Sequence, residues 1–554
     1  MKVEFDYIVV GSGSAGAAVA ARLSEDPGLS VLLLEAGPPD WHPFQAMPLA
    51  FPKVALGSIG TWQYKSEPEP ALYGRQLPYP RGRTLGGTSS VNAMIAIRGH
   101  RRDYDRWHEA GLEGWSYAEV LPYFKRLESS WRGAGPFHGA DGPVRITRME
   151  GPEMLWEPLL AAAVAAGIPH CEDPNGAVQD GISPMESTVY GGARFSTARA
   201  YLRPARHRPN LTIATRTLAS RVVVEQGRAT GVQYLQRGQP RHAHAAREVV
   251  VCGGAFNSPQ LLLLSGIGPA EELRALGIAP VLDLPGVGRN LSDHPNILNE
   301  YELVEDLGLT RHLRLDRATL AVARWMLTRS GPFAYTGTST NVFARTLPGL
   351  DQPDVQMMTL PLSNDSKLWG LGLGRKPMSR LAVRTGFLQP RSRGWVKLRS
   401  TDPREPPRIQ LNLLQDPEDI QTMLRAVKLS RSIHAQAPLR GMIRREVLPG
   451  PGTDDEAGLV EHLRRNVGHR SHPVGTCRMG TDPGTGAVVD AQLRVHGLKG
   501  LRIADASVMP DITSGNTNLP SIMIGERAAD LLQGRQLPPD PVAASAAAGG
   551  EVRG

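Results

Sequence analysis

The stretch from Phe5 to Gly37, FDYIVVGSGSAGAAVAARLSEDPGLSVLLLEAG, leaves this chain few folds to choose from. An apolar run at Tyr7–Val10 leads into glycines at 11, 13 and 16, a small-residue helical segment to Leu23, and a second apolar run, Val31–Leu34, ending in Glu35. Strand, glycine turn, helix, strand and acid in that order predict a βαβ unit that binds an adenine dinucleotide. Gly11 permits the tight turn off the strand. Gly13, with Ser14 and Ala15 after it, lets backbone N–H groups approach a pyrophosphate at the helix N-terminus, and Gly16 allows helix and strand to pack closely. Glu35, 19 residues past Gly16 and followed by Ala36, is placed to accept hydrogen bonds from ribose hydroxyls. The unit alone does not distinguish FAD from a nicotinamide dinucleotide.

A chain of 554 residues exceeds what one core usually serves, so two domains are expected. With 41% hydrophobic and 21% charged residues, the composition is that of a globular protein rather than a disordered or fibrous one. The net charge of +8 is spread thinly, and the densest basic run, Arg98–Arg106, is interrupted by acids, so no nucleic-acid partner is expected. Three widely spaced cysteines give no disulfide framework and fit a reducing compartment. The first strand begins within five residues of Met1, leaving no room for a signal sequence, and no apolar run reaches the length of a membrane span. These features predict a cytoplasmic protein and leave peripheral membrane attachment open.

Further along, Gly82–Gly99 places two adjacent glycines before Thr88, Ser89 and Ser90; this suits either a loop wrapped around a phosphate or flat heterocycle, or a plain ST-turn. Ser116-x-x-Glu119 is a capping box opening a helix to Leu127, and further helices are expected over Leu155–Ala166, from Asp416-Pro417 onward, and over Pro520–Leu532. Between them, Leu211–Ala214, Arg221–Glu225 and Thr230–Leu235 read as a β-meander. The strand Val249–Cys252 then meets a second glycine turn and helix. Residues 298 to about 415 carry strands at Val355–Leu360, Leu381–Leu388 and Trp395–Arg399, expected to form a mostly antiparallel domain that covers the cofactor. Met357, Met358 and Trp369 either line its pocket or belong to its core.

Four segments, GRTLGGTSSVN (82–92), GAFNSPQLLLLSGIG (254–268), HPVGTCRMG (472–480) and ADASVMPDITSGNTNLPSIMIGERAAD (504–530), together resemble the glucose–methanol–choline family of flavin oxidoreductases, of the choline dehydrogenase or alcohol dehydrogenase-like type. The resemblance runs from about Phe5 to Leu532. It implies an α/β, Rossmann-like FAD-binding domain interleaved with an α+β substrate domain built on a mostly antiparallel sheet. Residues 1–155, 209–297 and 466–534 would form the first, 156–208 and 298–465 the second, and 535–554 a disordered tail.

The resemblance also implies the chemistry, oxidation of an alcohol to an aldehyde or ketone by hydride transfer to flavin, with oxygen or a quinone as acceptor. His472 falls on the family's active-site histidine and Asn516 on its partner position. An imidazole titrating near neutrality suits removal of the hydroxyl proton, and Asn516 can hold the substrate oxygen. Arg83, Gly86, Gly87, Ser90, Asn92 and Ala93 would lie along the FAD, Val222 near the adenine, and Asp505, Ala506, Asn516 and Thr517 along the ribityl or pyrophosphate side. Val91 stands where some members attach FAD through a histidine, so the FAD is expected to be non-covalent. No metal is expected, because His469, His472 and Cys477 lie in a broken loop without a fourth ligand. A lyase or light-driven decarboxylase on the same fold is the alternative.

Overall fold

The computed structural model describes residues 4–363, 366–370 and 376–543. The opening βαβ unit forms as its pattern requires. Strands Glu4–Val10 and Val31–Leu34 pair in parallel, with the helix Ser14–Leu23 between them. Ile8, Val9 and Val31–Leu33 are fully buried, which is why these strands read as continuous apolar runs rather than alternating ones. Leu211–Ala214 extends the sheet beyond Val31–Leu34, and Gln239–Val251 and Leu501–Ile503 extend it on the other side, all in parallel.

The meander differs in its membership from the expected one. Its strands are Thr217–Glu225, Arg228–Gln236 and the 13-residue Gln239–Val251, while Leu211–Ala214 belongs to the parallel sheet. The first half of Gln239–Val251, Gln239 to His244, pairs with the meander and its second half, His244 to Val251, with Glu4–Val10, so one strand joins both parts.

The helix Asn518–Leu532 lies against Ser14–Leu23 so closely that a Cβ on Gly525 would come 2.4 Å from the Ala15 carbonyl oxygen. Glu526, fully buried, receives Arg22 at 2.9 Å, Arg126 at 2.8 Å and the Tyr201 hydroxyl at 2.7 Å. A buried carboxylate is tolerated because cations and a hydroxyl surround it, and this cluster ties the C-terminal helix to the first one.

A second, antiparallel sheet runs Ile443–Leu448, Pro295–Leu303, Arg380–Phe387, Val355–Leu360, Thr340–Ala344, Gly181–Pro184, with Gly468–His469 added alongside Pro295–Leu303. Helix Pro417–His434, capped by Asp416 accepting from the Glu418 N–H at 2.9 Å, packs on this sheet. Trp395–Lys397 is not part of it; that strand forms a separate hairpin with Arg408–Gln410. The C-terminal tail also differs from expectation. Leu537 and Asp540 bond to Tyr123 and Ala118, Lys125 meets Asp540 at 3.1 Å, and Ala543 enters the main core, because the Tyr117–Leu127 helix offers both an apolar face and polar partners. The rest of the tail, 544–554, lies outside the described residues.

Candidate active site

One cavity of about 740 Å³ runs from the first glycine turn to His472 and Asn516. At its start, Gly11, Gly13, Ser14, Ala15, Glu35 and Ala36 line the wall. A Cβ on Gly13 would meet nothing within 4 Å, so the N-terminus of the Ser14–Leu23 helix opens onto free space with no acid in its first turn. That is a cradle for a diphosphate. Gly11, at φ +102°, has no room for a side chain, since a Cβ would lie 2.4 Å from the Cys252 carbonyl oxygen. Glu35 is held by the Ser12 hydroxyl at 2.6 Å and the Gly37 N–H at 2.7 Å, and burial raises its carboxyl above the usual range.

The second glycine loop closes on the first. A Cβ on Gly87, at φ +51°, would come 2.7 Å from Gly13 Cα. Gly87, Val91, Asn92 and Ala93 line the cavity, as do Asp505, Ala506 and Thr517. Asp505 accepts from the Gly254 N–H at 2.8 Å, the Ser258 hydroxyl at 2.6 Å and the Ser507 N–H at 2.8 Å, so it fixes the second strand–turn–helix at the cavity edge.

Five expected cofactor contacts are not brought to the wall. Gly16 packs against the Gly11 carbonyl, where a Cβ would lie at 2.0 Å. Arg83 covers the Trp62 ring at 4.1 Å, Gly86 makes the turn at φ +83°, and the Ser90 hydroxyl is spent on the Leu85 carbonyl at 2.7 Å. Val222 is buried on its strand and donates its N–H to Ser265; Thr217, Leu218 and Ala219 of the same strand face the cavity instead. Of the pocket candidates, Met358 lines the cavity and Met357 belongs to the core.

At the far end a chain of hydrogen bonds fixes the orientation of His472, and it begins at an arginine. Arg470 can only donate, and its guanidinium meets the Gln356 side-chain oxygen. Gln356 must therefore turn its NH₂ to Asn516 Oδ1, at 3.3 Å. Asn516 in turn points Nδ2 at His472 Nε2, at 3.1 Å, which makes that nitrogen an acceptor. The proton of a neutral His472 then sits on Nδ1 and is donated to His294 Nδ1 at 3.0 Å. Asp293 holds the loop by accepting the His472 backbone N–H at 2.9 Å and the Tyr79 hydroxyl.

His472 does not titrate near neutrality. Burial, then the neighbouring His294, Arg470 and Arg81, hold its imidazole well below the usual range, and His294 is pushed down to about 3 mainly by burial. Burial pushes Asp293 up to about 6. The same positive surroundings that resist an imidazolium favour an anion on a bound oxygen.

Asp293, His294, Gln356 and Arg470 escaped the sequence reading. His294 reaches His472 because Pro295 and Asn296 pair with His469 and Gly468 across the antiparallel sheet. The only local signal was a histidine opening a β-run. Among the described residues, Asp293, His294 and His472 are the one group close enough to hold a metal ion, but their near atoms are already bonded to one another and to Tyr79. Cys477 is buried away from the cavity, its thiol pushed well above the usual range by burial.

A dinucleotide cradle continuous with a histidine–asparagine pair under an antiparallel cover fits a dinucleotide-dependent oxidoreductase, and the comparisons with known proteins make that dinucleotide FAD. The N-terminal GMC oxidoreductase model matches residues 5–296 and the C-terminal one residues 390–525. Mitochondrial choline dehydrogenase of Mus musculus is 42% identical, over 96% of this chain and 90% of the relative. Oxygen-dependent choline dehydrogenase of Rhizobium etli is also 42% identical, over 96% of both chains. Pyridoxine 4-oxidase from Mesorbium loti superimposes with a TM-score of 0.85 at 31% identity, covering 96% of this chain and 100% of that one. A formate oxidase superimposes at 0.89 with 28% identity, covering 96% and 98%. The chain belongs to the GMC oxidoreductase family. It is an FAD-dependent oxidoreductase acting on CH–OH donors.

Proposed function

We propose that this protein oxidises an uncharged primary alcohol to its aldehyde, with His472 as the base. The observation that carries this reading is the acceptor state of His472 Nε2, set by the Arg470–Gln356–Asn516 chain and facing the cavity. An alcohol entering between His472 and Asn516 would give its proton to Nε2 and keep a hydrogen bond from Asn516 Nδ2 on the resulting alkoxide. The positive field of Arg470 and Arg81 stabilises that alkoxide. Bound FAD supplies the acceptor for the hydride. Gly13–Ala15 would hold its diphosphate, and Val91, an aliphatic side chain on the wall, leaves the FAD non-covalent.

The substrate need not be choline. Among the described residues, the acids on the wall are Glu35 and Asp505, both committed to neighbouring N–H and hydroxyl groups, while Met358, Leu360 and Leu362 line the chamber's apolar part. A quaternary ammonium calls for a carboxylate beside an aromatic cage, and the wall's aromatic rings, Phe51, Trp62 and Phe256, are joined by no described wall acid other than those two. All three cysteines are buried and unpaired, which supports a cytoplasmic setting.

The test is anaerobic mixing of the holoenzyme with a panel of primary alcohols and choline, followed by air and then a quinone. An uncharged alcohol should bleach the flavin, and recovery in air or only with quinone assigns the acceptor. Bleaching by choline alone would overturn the substrate class. A flavin that no alcohol bleaches would overturn the reaction and bring back the lyase or light-driven alternative, which the dehydrogenase and oxidase relatives do not favour.

A further inference from the structure

Several of the most exposed large apolar side chains lie on two neighbouring segments beside the cavity. Trp41 and Leu56, 83% and 69% exposed, belong to the segment 41–56; Leu320 and Leu327, 71% and 85% exposed, belong to the helix Leu315–Thr328. The two segments are held side by side, because Met47 and Ala50 share an apolar cluster with Trp325 and Val322 from the inner face of the helix. That inner face is anchored further by the Trp325 indole N–H on the Gly192 carbonyl at 2.7 Å.

The outer face of the helix reads Arg317, Leu320, Arg324, Leu327 at helical spacing, all exposed. Leucines alternating with arginines suit the boundary of a bilayer, where the leucines enter the acyl region and the arginines snorkel to phosphates. The charge points the same way. Residues 41–60 contain one lysine and no acid; residues 311–330 contain five arginines and one acid, Asp316, which is already bonded to Arg314. Scattered exposed leucines need no explanation, but neighbouring ones set among cations mark a contact surface, and the missing acids select a negatively charged one.

Phe51, Pro52, Ala55 and Leu56 of the same segment also line the cavity that leads to His472. The apolar face is therefore continuous with the way in. No helix among the described residues is long and apolar enough to cross a membrane, so contact of this kind is peripheral.

We propose that this face docks on an anionic lipid bilayer, with Trp41, Leu56, Leu320 and Leu327 in the interface, Arg317 and Arg324 at phosphates, and the cavity mouth turned toward the lipid. The proposal goes beyond the reaction and does not depend on which alcohol is oxidised.

The test uses the full-length holoenzyme in co-sedimentation with vesicles of phosphatidylcholine alone or mixed with phosphatidylglycerol. The wild type should pellet with the mixed vesicles and be released by salt. The pair Leu320→Glu and Leu327→Glu should weaken binding about tenfold or more, with flavin content and turnover of a soluble alcohol unchanged. The pair Arg317→Gln and Arg324→Gln should lose the preference for the anionic vesicles. Failure of the wild type to pellet, or equal pelleting by the leucine pair, would overturn the proposal. So would a solution dimer that the leucine pair dissociates without any vesicle binding, since a second copy would then cover the face.

Discussion

The two ends of the cavity are built from different materials. At the dinucleotide end the wall is backbone and small residues, and its carboxylates, Glu35 and Asp505, are committed to neighbouring N–H and hydroxyl groups. At the His472 end the wall is a relay of side chains, Arg470, Gln356, Asn516, His472 and His294, in which each member sets the proton position of the next. One end works by leaving room and the other by fixing charge. Substitutions at the first should therefore act through volume, and at the second through protons.

The largest effect is expected at Gly11. A methyl group there would lie 2.4 Å from the Cys252 carbonyl oxygen, at a φ of +102° that alanine resists. Backbone cannot yield as a flexible side chain can, so Gly11→Ala should purify without flavin absorption, or not fold. A variant that retains full flavin content would break the steric account of that end.

His472→Ala should behave in the opposite way, keeping its flavin while losing roughly 10²–10⁴ in the rate of anaerobic flavin reduction by the alcohol. Rapid mixing measures that rate directly. Reduction at the wild-type rate would remove His472 as the base.

Legibility in the sequence follows the same division. The dinucleotide end could be read from residues 5–37 because turn, helix and acid are close in sequence and each has a local reason. The Ser116–Glu119 capping box and the helices from Asp416 and to Leu532 were legible for the same cause, whereas the helix Leu315–Thr328 was not read. His472 and Asn516 carried no local signature and were identified through a resemblance. Their partners were missed because Asp293 and His294 lie about 180 residues upstream and meet His472 only through strand pairing at Pro295 and Asn296. Val222 stays off the cavity wall because the side of a meander strand that faces a cavity depends on its register, which includes a bulge between Ala219 and Arg221. The tail from Arg535 looked disordered by composition, yet among its described residues Leu537 and Asp540 are held by the Tyr117–Leu127 helix, contacts that composition does not encode.

Asn516→Ala tests the relay without removing the base. It deletes the donor to His472 Nε2 and the hydrogen bond proposed to hold the alkoxide. A loss of about 10² in the reduction rate is expected, less than for His472→Ala, since the imidazole can still take the proton. An unchanged rate would confine Asn516 to packing and weaken the claim that this end acts through fixed protons.

The smallest effect separates burial from neighbouring charge. His434 is pushed down to about 4 by burial alone, stacked on Tyr301 at 4.3 Å and bonded to the Ser430 carbonyl at 2.8 Å, with none of the cations that surround His472. In the unfolded chain a histidine gains its proton near pH 6.5, while folded His434 stays neutral until about 4. The unfolded state therefore binds more protons in that window, so the stability contributed by a neutral His434 is present above 6.5 and is lost as pH falls toward 4. His434→Gln removes the titration. Its destabilisation at pH 7.5, from lost stacking, should shrink by about 1 kcal/mol at pH 5.5, read by denaturant unfolding at the two pH values. A deficit identical at both would mean that burial alone does not hold this imidazole neutral, and the depression at His472 would then have to come chiefly from Arg470, Arg81 and His294.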